Sequence, residues 1–456
     1  MEKDMTVGKP SSVIGSFTIP IIIGNVFQQL YNMADAIIVG RCIGKGALAA
    51  VGSTGTFMFL IYGLVTGMTV GFTVITAQRF GAGDMDGMRK SVASAIRLAA
   101  IVTAFMTVIT MVFMRPLLHL MNTPDDIYDD AYKYIMIICA GIVAQVLYNM
   151  LSAILRALGN SKTPLCFLIL SALLNIGLDI LFINVYKMGT AGAAYATVVS
   201  QAVAGIASLI YIIVKVPSLH LVRTDWSYNH TLVLNQLRVG FPMALQYSIT
   251  AIGTTMVQAS LNMLGSTAVA AYTAAGKIEQ IAGQAYVAMG TTMATYCAQN
   301  RGAGRVDRIR QGFRSATCMG FIYSVVAGAL IFFFGKNLTY LFVSEDISEV
   351  IGYVDTYLRC ISLFFIPLTI VNVHRNGIQG MGFGILPMMA GVAELVGRGV
   401  ASVIAAHYKS YFGICMGGPA AWVLAAALLI WMYHMVIRKI TGTVSQRTDI
   451  SFTNKI

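Results

Sequence analysis

The sequence predicts an all-α polytopic membrane protein: twelve transmembrane helices forming two six-helix lobes, a parallel internal repeat, around a central cleft. Three observations carry this expectation. Of 456 residues 57% are hydrophobic and only 11% are charged, and mean hydropathy is +0.73; a soluble chain carries roughly twice that charged fraction. Apolar stretches of about 20 residues, each long enough for a helix to cross a bilayer, recur along the whole chain. The two halves of the chain also repeat one another.

In the first half the spans fall at 13–38, 50–77, 91–114, 133–156, 164–184 and 191–214. The mixed-charge opening Met1–Pro10 is followed by no small-residue cleavage site, so the first span reads as a retained helix rather than a signal peptide. The stretch 215–237, "KVPSLHLVRTDWSYNHTLVLNQL", is a polar linker with room for a short helix at the membrane surface. The second half places spans at 238–264, 272–297, 314–334, 352–374, 383–407 and 417–437. The domain reading is therefore an N-terminal lobe over 1–214, the linker, and a C-terminal lobe with its tail over 238–456.

The repeat is visible without gaps. "AQRFGAGDMDGMR" (77–89) aligns with "AQNRGAGRVDRIR" (298–310) at an offset of 221, and "ALAAVGSTG" (47–55) meets "AVAAYTAAG" (268–276) at the same offset. Pro20 and Pro242 each stand near the start of a lobe's first span. Six spans per half make the repeat parallel, related by an axis along the membrane normal. The glycine-rich GAG loops lack the Lys-Ser/Thr of a phosphate-binding loop and read as tight turns between paired helices.

Charge sets the expected orientation. With the N-terminus inside, 21 Lys and Arg residues fall on the cytoplasmic side and eight outside, while Arg359 and Arg398 lie within spans. Both termini are then cytoplasmic, and the chain is a multi-pass protein of the cell membrane. This bias accounts for the net charge of +12 better than nucleic-acid binding does, for which the chain has no basic domain. Seven cysteines and six histidines are scattered without metal-ligand or nucleophile–base spacing, so an enzyme is not expected. With no nucleotide-binding motif, an ion gradient would have to drive any transport.

Three acids stand well inside spans, Asp35, Asp179 and Glu394, while Glu279 is borderline, near the outer end of the eighth span, and Asp355 stands near the outer end of the tenth. A carboxylate in hydrocarbon costs at least a few kcal/mol, so one that persists usually faces a cavity. Asp35 and Asp179 have polar company on their own helices. Ser171, Asn175 and Asp179 repeat every fourth residue and share a face. Asn25, Gln28, Asn32 and Asp35 form a similar stripe, Thr197 and Gln201 lie on the sixth span, and Gln145, Asn149 and Ser152 on the fourth. Polar stripes on four helices of one lobe imply a shared hydrated pocket; taken singly, such residues also serve as helix–helix glue. Two carboxylates in one low-dielectric pocket cannot both ionise cheaply, so the pair suits a shared proton or, with amide and hydroxyl oxygens, Na⁺. Glu394 is followed at i+4 by Arg398, the spacing of an intramembrane ion pair, with a substrate-facing carboxylate as the alternative. Tyr31, Tyr148, Tyr247, Gln246 and Met256 are further candidates to line the cleft, methionine being suited to promiscuous pockets.

With its twelve spans, the opening "YNMADAIIVGRCIGKGALAAVG" and the doubled AQ…GAG turns, the chain resembles the multidrug and toxic compound extrusion (MATE) transporters, in the superfamily that includes polysaccharide and lipid flippases. The resemblance covers essentially the whole chain. In the DinF-like and archaeal branches it implies a cation site whose helix 1 Asp, helix 5 Asn-x-x-x-Asp and helix 6 Thr match Asp35, Asn175, Asp179 and Thr197. Other branches place acids on helices 7 and 10; here 238–264 has none, only Gln246 and Gln258, and the tenth span has only Asp355 near its end. The resemblance implies export of amphipathic, often cationic compounds against H⁺ or Na⁺ by a monomer without a cofactor. Flippase activity on a lipid-linked precursor is the alternative, but would be expected to line the cleft with several cationic residues.

Overall fold

In the computed structural model, residues 3–121, 123–339 and 347–453 are described. Among them the chain is helical throughout, with no strand. In order, the helices are α1 (Pro10–Cys42), α2 (Lys45–Ser53), α3 (Gly55–Gly81), α4 (Met85–Leu120), α5 (Asp125–Ala140), α6 (Ile142–Ala157), α7 (Lys162–Asp179), which runs on through a π-helical turn (Ile180–Val185), and α8 (Thr190–Lys215). Two short 3₁₀ turns, Pro217–Leu219 and Arg223–Trp226, occupy the linker. The second half follows with α9 (His230–Asn262), α10 (Ser266–Gly302), α11 (Val306–Thr339), α12 (Ile347–Ser362), α13 (Phe365–Gly380), α14 (Ile385–His407), α15 (Tyr411–Cys415) and α16 (Gly417–Thr453).

Eight of these helices are individually long and apolar enough to cross a bilayer, and two bent pairs qualify as spans when each is taken together. α9 and α10 complete six passes in each half. At 33 and 37 residues they exceed the roughly 20 that a span needs. They are less apolar than the others because residues such as Gln246, Gln258, Lys277 and Glu279 interrupt their apolar faces. The bends obey the repeat. α5 and α6 meet at 46° beside Gly141, and α12 and α13 meet at 52° beside Leu363, positions about one repeat offset apart. Each span expected at 133–156 and 352–374 is thus a broken helix. The expected span 50–77 is also interrupted, at Thr54, where α2 ends and α3 begins. Its repeat counterpart, Ala275, lies inside unbroken α10.

Two compact units emerge, Met1–Lys3 with Ile19–Ala244, and Asp4–Thr18 with Leu245–Ile456. The dividing points fall inside α1 and α9, near their prolines, so the opening turns of each helix pack in a different unit from the rest of it. In the first unit, α3 presents Gly67 and Gly71 to Gly240 and Ala244 of α9, two pairs of small residues at matching four-residue spacing. A Cβ on Gly67 would stand 2.6 Å from Ala244 Cα, and one on Gly71 would stand 2.8 Å from Gly240 N. Backbones approach this closely only where side chains are absent, the usual device for joining helices in lipid. One repeat offset away, in the second unit, the same crossing is made by a hydrogen bond: Thr18 of α1 donates to Thr292 of α10 at 2.8 Å.

The doubled AQ…GAG motifs do more than turn the chain. In the second unit the turn after α10 and the start of α11 bind the segment that precedes α1. Met5 N–H donates to Gln299 at 2.8 Å, Asn300 donates back to the Met5 carbonyl at 3.2 Å, and Met5 is fully buried. Arg308 reaches the carbonyls of Met5 and Gly8, and Arg305 that of Thr6. In the first unit the helix after the equivalent turn, α4, holds the segment that precedes α9: Arg89 pairs with buried Asp225 at 3.4 Å, and Arg97 donates to the Trp226 carbonyl. Asp84 caps α4 by accepting from Gly87 N–H at 2.8 Å, which with Arg79 beside it holds that carboxyl below its ordinary range. The linker is therefore strapped to a helix pair on its own side of the division.

Candidate functional site

Ser171, Asn175 and Asp179 form one buried stripe on α7, at 8%, 1% and 0% exposure. Their spacing places them on a common face, and that face turns into the first unit. Asp35 of α1 meets it: the two carboxyl groups lie near enough to interact. When both are ionised, both only accept, so neither supplies the donor the other lacks. Both Asp179 oxygens, Asp35 Oδ1 and both polar atoms of the Asn175 amide are buried without a hydrogen-bonding partner among the described residues. Thirteen such atoms occur among the described residues, and five sit on these three side chains. Each buried unsatisfied group costs about 1–3 kcal/mol, more when charged. A concentration of them is what a binding site looks like before its guest is counted.

Tyrosines lie near the acids. Tyr31 lies beside Gln28 and Gln201 and near Asp35 and Tyr148, while Tyr62 and Tyr134 both lie close to Tyr31 and Asp35, Tyr134 also to Asp179. Tyr62 and Tyr134 carry no sequence signal of their own. They belong to α3 and α5, whose faces toward the acids are decided by packing.

The other predicted residues divide. Gln201 and Ser152 are in the same unit and each keeps an unpartnered buried oxygen; Ser152 lies beside Tyr148, whose hydroxyl donates to the Pro164 carbonyl at 3.1 Å. Thr197 and Asn149 turn back on their own helices, donating to the carbonyls of Ala193 at 3.1 Å and Gln145 at 2.9 Å. Gln145 is buried, whereas Gln28 and Asn32 are exposed on α1. In the second unit, Gln246 accepts from Gln379 at 2.8 Å beside Tyr247, and Met256 is 37% exposed with its methyl against Gly399.

Glu394 does not depend on Arg398 alone. Its nearer partner is Arg375 of α13, in direct hydrogen-bonded contact, while Arg398 Nη2 approaches to 4.0 Å. A tenth span that ends at 374 would leave Arg375 in a loop. α13 instead continues to Gly380 and buries it. An arginine one residue past an apolar run reads as a loop charge, and only the helix across from it, carrying Glu394, shows otherwise.

Among the described residues no cluster of three or more His, Cys, Asp or Glu could hold a metal ion. What the first unit offers is a carboxylate pair with an amide oxygen, fit for a proton or a monovalent cation. Helices that cross a bilayer six times in each of two repeats, with an acid pair inside one of them, make the frame of a membrane transporter. The MatE family model matches residues 20–181 and again 240–402, tracing the repeat, and the chain belongs to that family. It is 30% identical over 376 residues to the "Probable multidrug resistance protein YpnP" of Bacillus subtilis (strain 168), a match covering 82% of this chain and 83% of the other. It is also 26% identical to a "Probable multidrug resistance protein NorM" of Thermotoga maritima, over 81% of this chain and 80% of that one. A crystal structure of MATE in complex with MaL6 superimposes with a TM-score of 0.91 at 25% identity, covering 96% of this chain and 99% of that one.

Proposed function

We propose that this transporter is an antiporter of the cell membrane that exports amphipathic and cationic organic compounds, as multidrug transporters do, in exchange for H⁺ by alternating access. The observation that carries the reading is the unpartnered Asp35–Asp179–Asn175 cluster. One proton shared between the two carboxyls supplies the missing donor and removes one negative charge from a buried pair. A cationic substrate competes for that same charge, so proton uptake favours its release and substrate binding favours proton loss. Na⁺ is the second coupling ion this donor set fits, held by oxygens of Asp35, Asp179, Asn175 and Thr197; the nearness of two carboxyls that each lack a donor favours the proton. The charge bias puts both termini in the cytoplasm, and each chain carries a full set of these residues, consistent with a working monomer.

The test is efflux of ethidium from proteoliposomes under a pH gradient and a Na⁺ gradient imposed separately. The pH gradient alone should drive transport, and Asp35→Asn and Asp179→Asn should each abolish it while leaving purified yield intact. Transport driven only by Na⁺, or wild-type-like efflux in both variants, would overturn the proposal.

A further inference from the structure

The second unit contains a cavity of about 260 Å³, enclosed by α9, α10, α12, α14, α15 and α16. Its lining is not that of an ordinary packing defect. Glu279 of α10 and Arg398 of α14 both face it, and Tyr272, Tyr357 and Trp422 supply aromatic walls. Tyr272 and Tyr357 meet edge to face at 4.6 Å, and Tyr357 donates its hydroxyl to Glu279, which fixes the carboxylate in place. Gly276 lies one turn before Glu279, and a Cβ there would meet no atom within 4 Å, so the helix leaves the space open on that side. Arg398 approaches Glu394 Oε2 only to 4.0 Å, while Arg375 holds the other oxygen of that carboxylate.

Counted together, Glu279, Glu394, Arg375 and Arg398 are two acids and two bases. A simple organic cation entering the cavity would leave its charge unbalanced and face Arg398; a simple anion would face Glu279. An occupant with both charges disturbs neither. Functional ligand pockets usually measure about 300–1,000 Å³, so this one suits a compact molecule. We propose that the cavity is a second small-molecule site, taking an aromatic zwitterion with its ammonium toward Glu279 and its carboxylate toward Arg398. The ring lies against Tyr272, Tyr357 and Trp422. This site is separate from the carboxylate pair of the first unit and shares no residue with it.

The test uses three phenyl probes on the purified full-length protein in detergent: L-phenylalanine, 2-phenylethylamine and 3-phenylpropionate. Binding is read by calorimetry and by intrinsic tryptophan fluorescence, to which Trp422 contributes with Trp226 and Trp431. Phenylalanine should bind at least tenfold more tightly than either singly charged analogue. Glu279→Gln should erase its advantage over phenylpropionate. Gly276→Leu, which fills the cavity and leaves every charge in place, should abolish binding and the fluorescence response. Equal affinity for phenylethylamine, or phenylalanine binding unchanged in Glu279→Gln or in Gly276→Leu, would overturn the assignment. No gradient is needed, so failure of the proton-coupling proposal would leave these outcomes unaffected.

Discussion

Removing Glu394 should damage this fold more than removing the arginine closest to it. Glu394, Arg375 and Arg398 have side chains 7%, 11% and 13% exposed, so water screens none of them well. In Glu394→Leu two guanidinium groups remain buried and face one another with no acid between them. Removing one member of a buried pair costs about 3–5 kcal/mol, most of it from the charge left behind. Arg375→Leu is different. Arg398 stands 4.0 Å from Glu394 on the same helix, and a small rotamer change brings it into contact. The loss there should be nearer one charged hydrogen bond, about 1.5–3 kcal/mol. The assay is denaturant unfolding of the two purified variants, followed by tryptophan fluorescence. An Arg375→Leu protein as unstable as Glu394→Leu would refute the reasoning, since it would mean that Arg398 cannot take over.

Asn175→Leu should raise unfolding stability, by about 1–3 kcal/mol for each buried amide group no longer left unsatisfied, while ethidium efflux falls to background. Gly71→Ala forces a Cβ against the α9 backbone and should cost about 1–3 kcal/mol, seen as a lower yield of folded protein; Gly276→Ala, which meets open space, should leave yield unchanged. Arg308→Ala removes hydrogen bonds to the Met5 and Gly8 carbonyls and should speed hydrogen–deuterium exchange of the backbone amides over residues 4–8, read by mass spectrometry, with Arg89→Ala serving as the matched control for the other strap.

Much of this architecture was legible in the sequence because lipid imposes a simple rule. Backbone polar groups must be satisfied within each span, so long apolar runs become helices. The offset of 221 showed that one set of helices had been used twice, and Ser171, Asn175 and Asp179 declared a common face through helical periodicity alone. The polar stripe around Asp35 was likewise enough to make it a candidate partner for Asp179. What the one-dimensional pattern could not give was which faces meet. Tyr62 and Tyr134 join the acids only because α3 and α5 are rotated toward them. Arg375 becomes a buried partner only because α13 runs past the apolar stretch that marks it. The AQ…GAG turns looked like connectors, and tertiary structure makes them clamps, since a guanidinium's target is a backbone carbonyl that no sequence pattern records. Composition and periodicity determined that helices span and which residues are costly to bury; packing decided what those residues face.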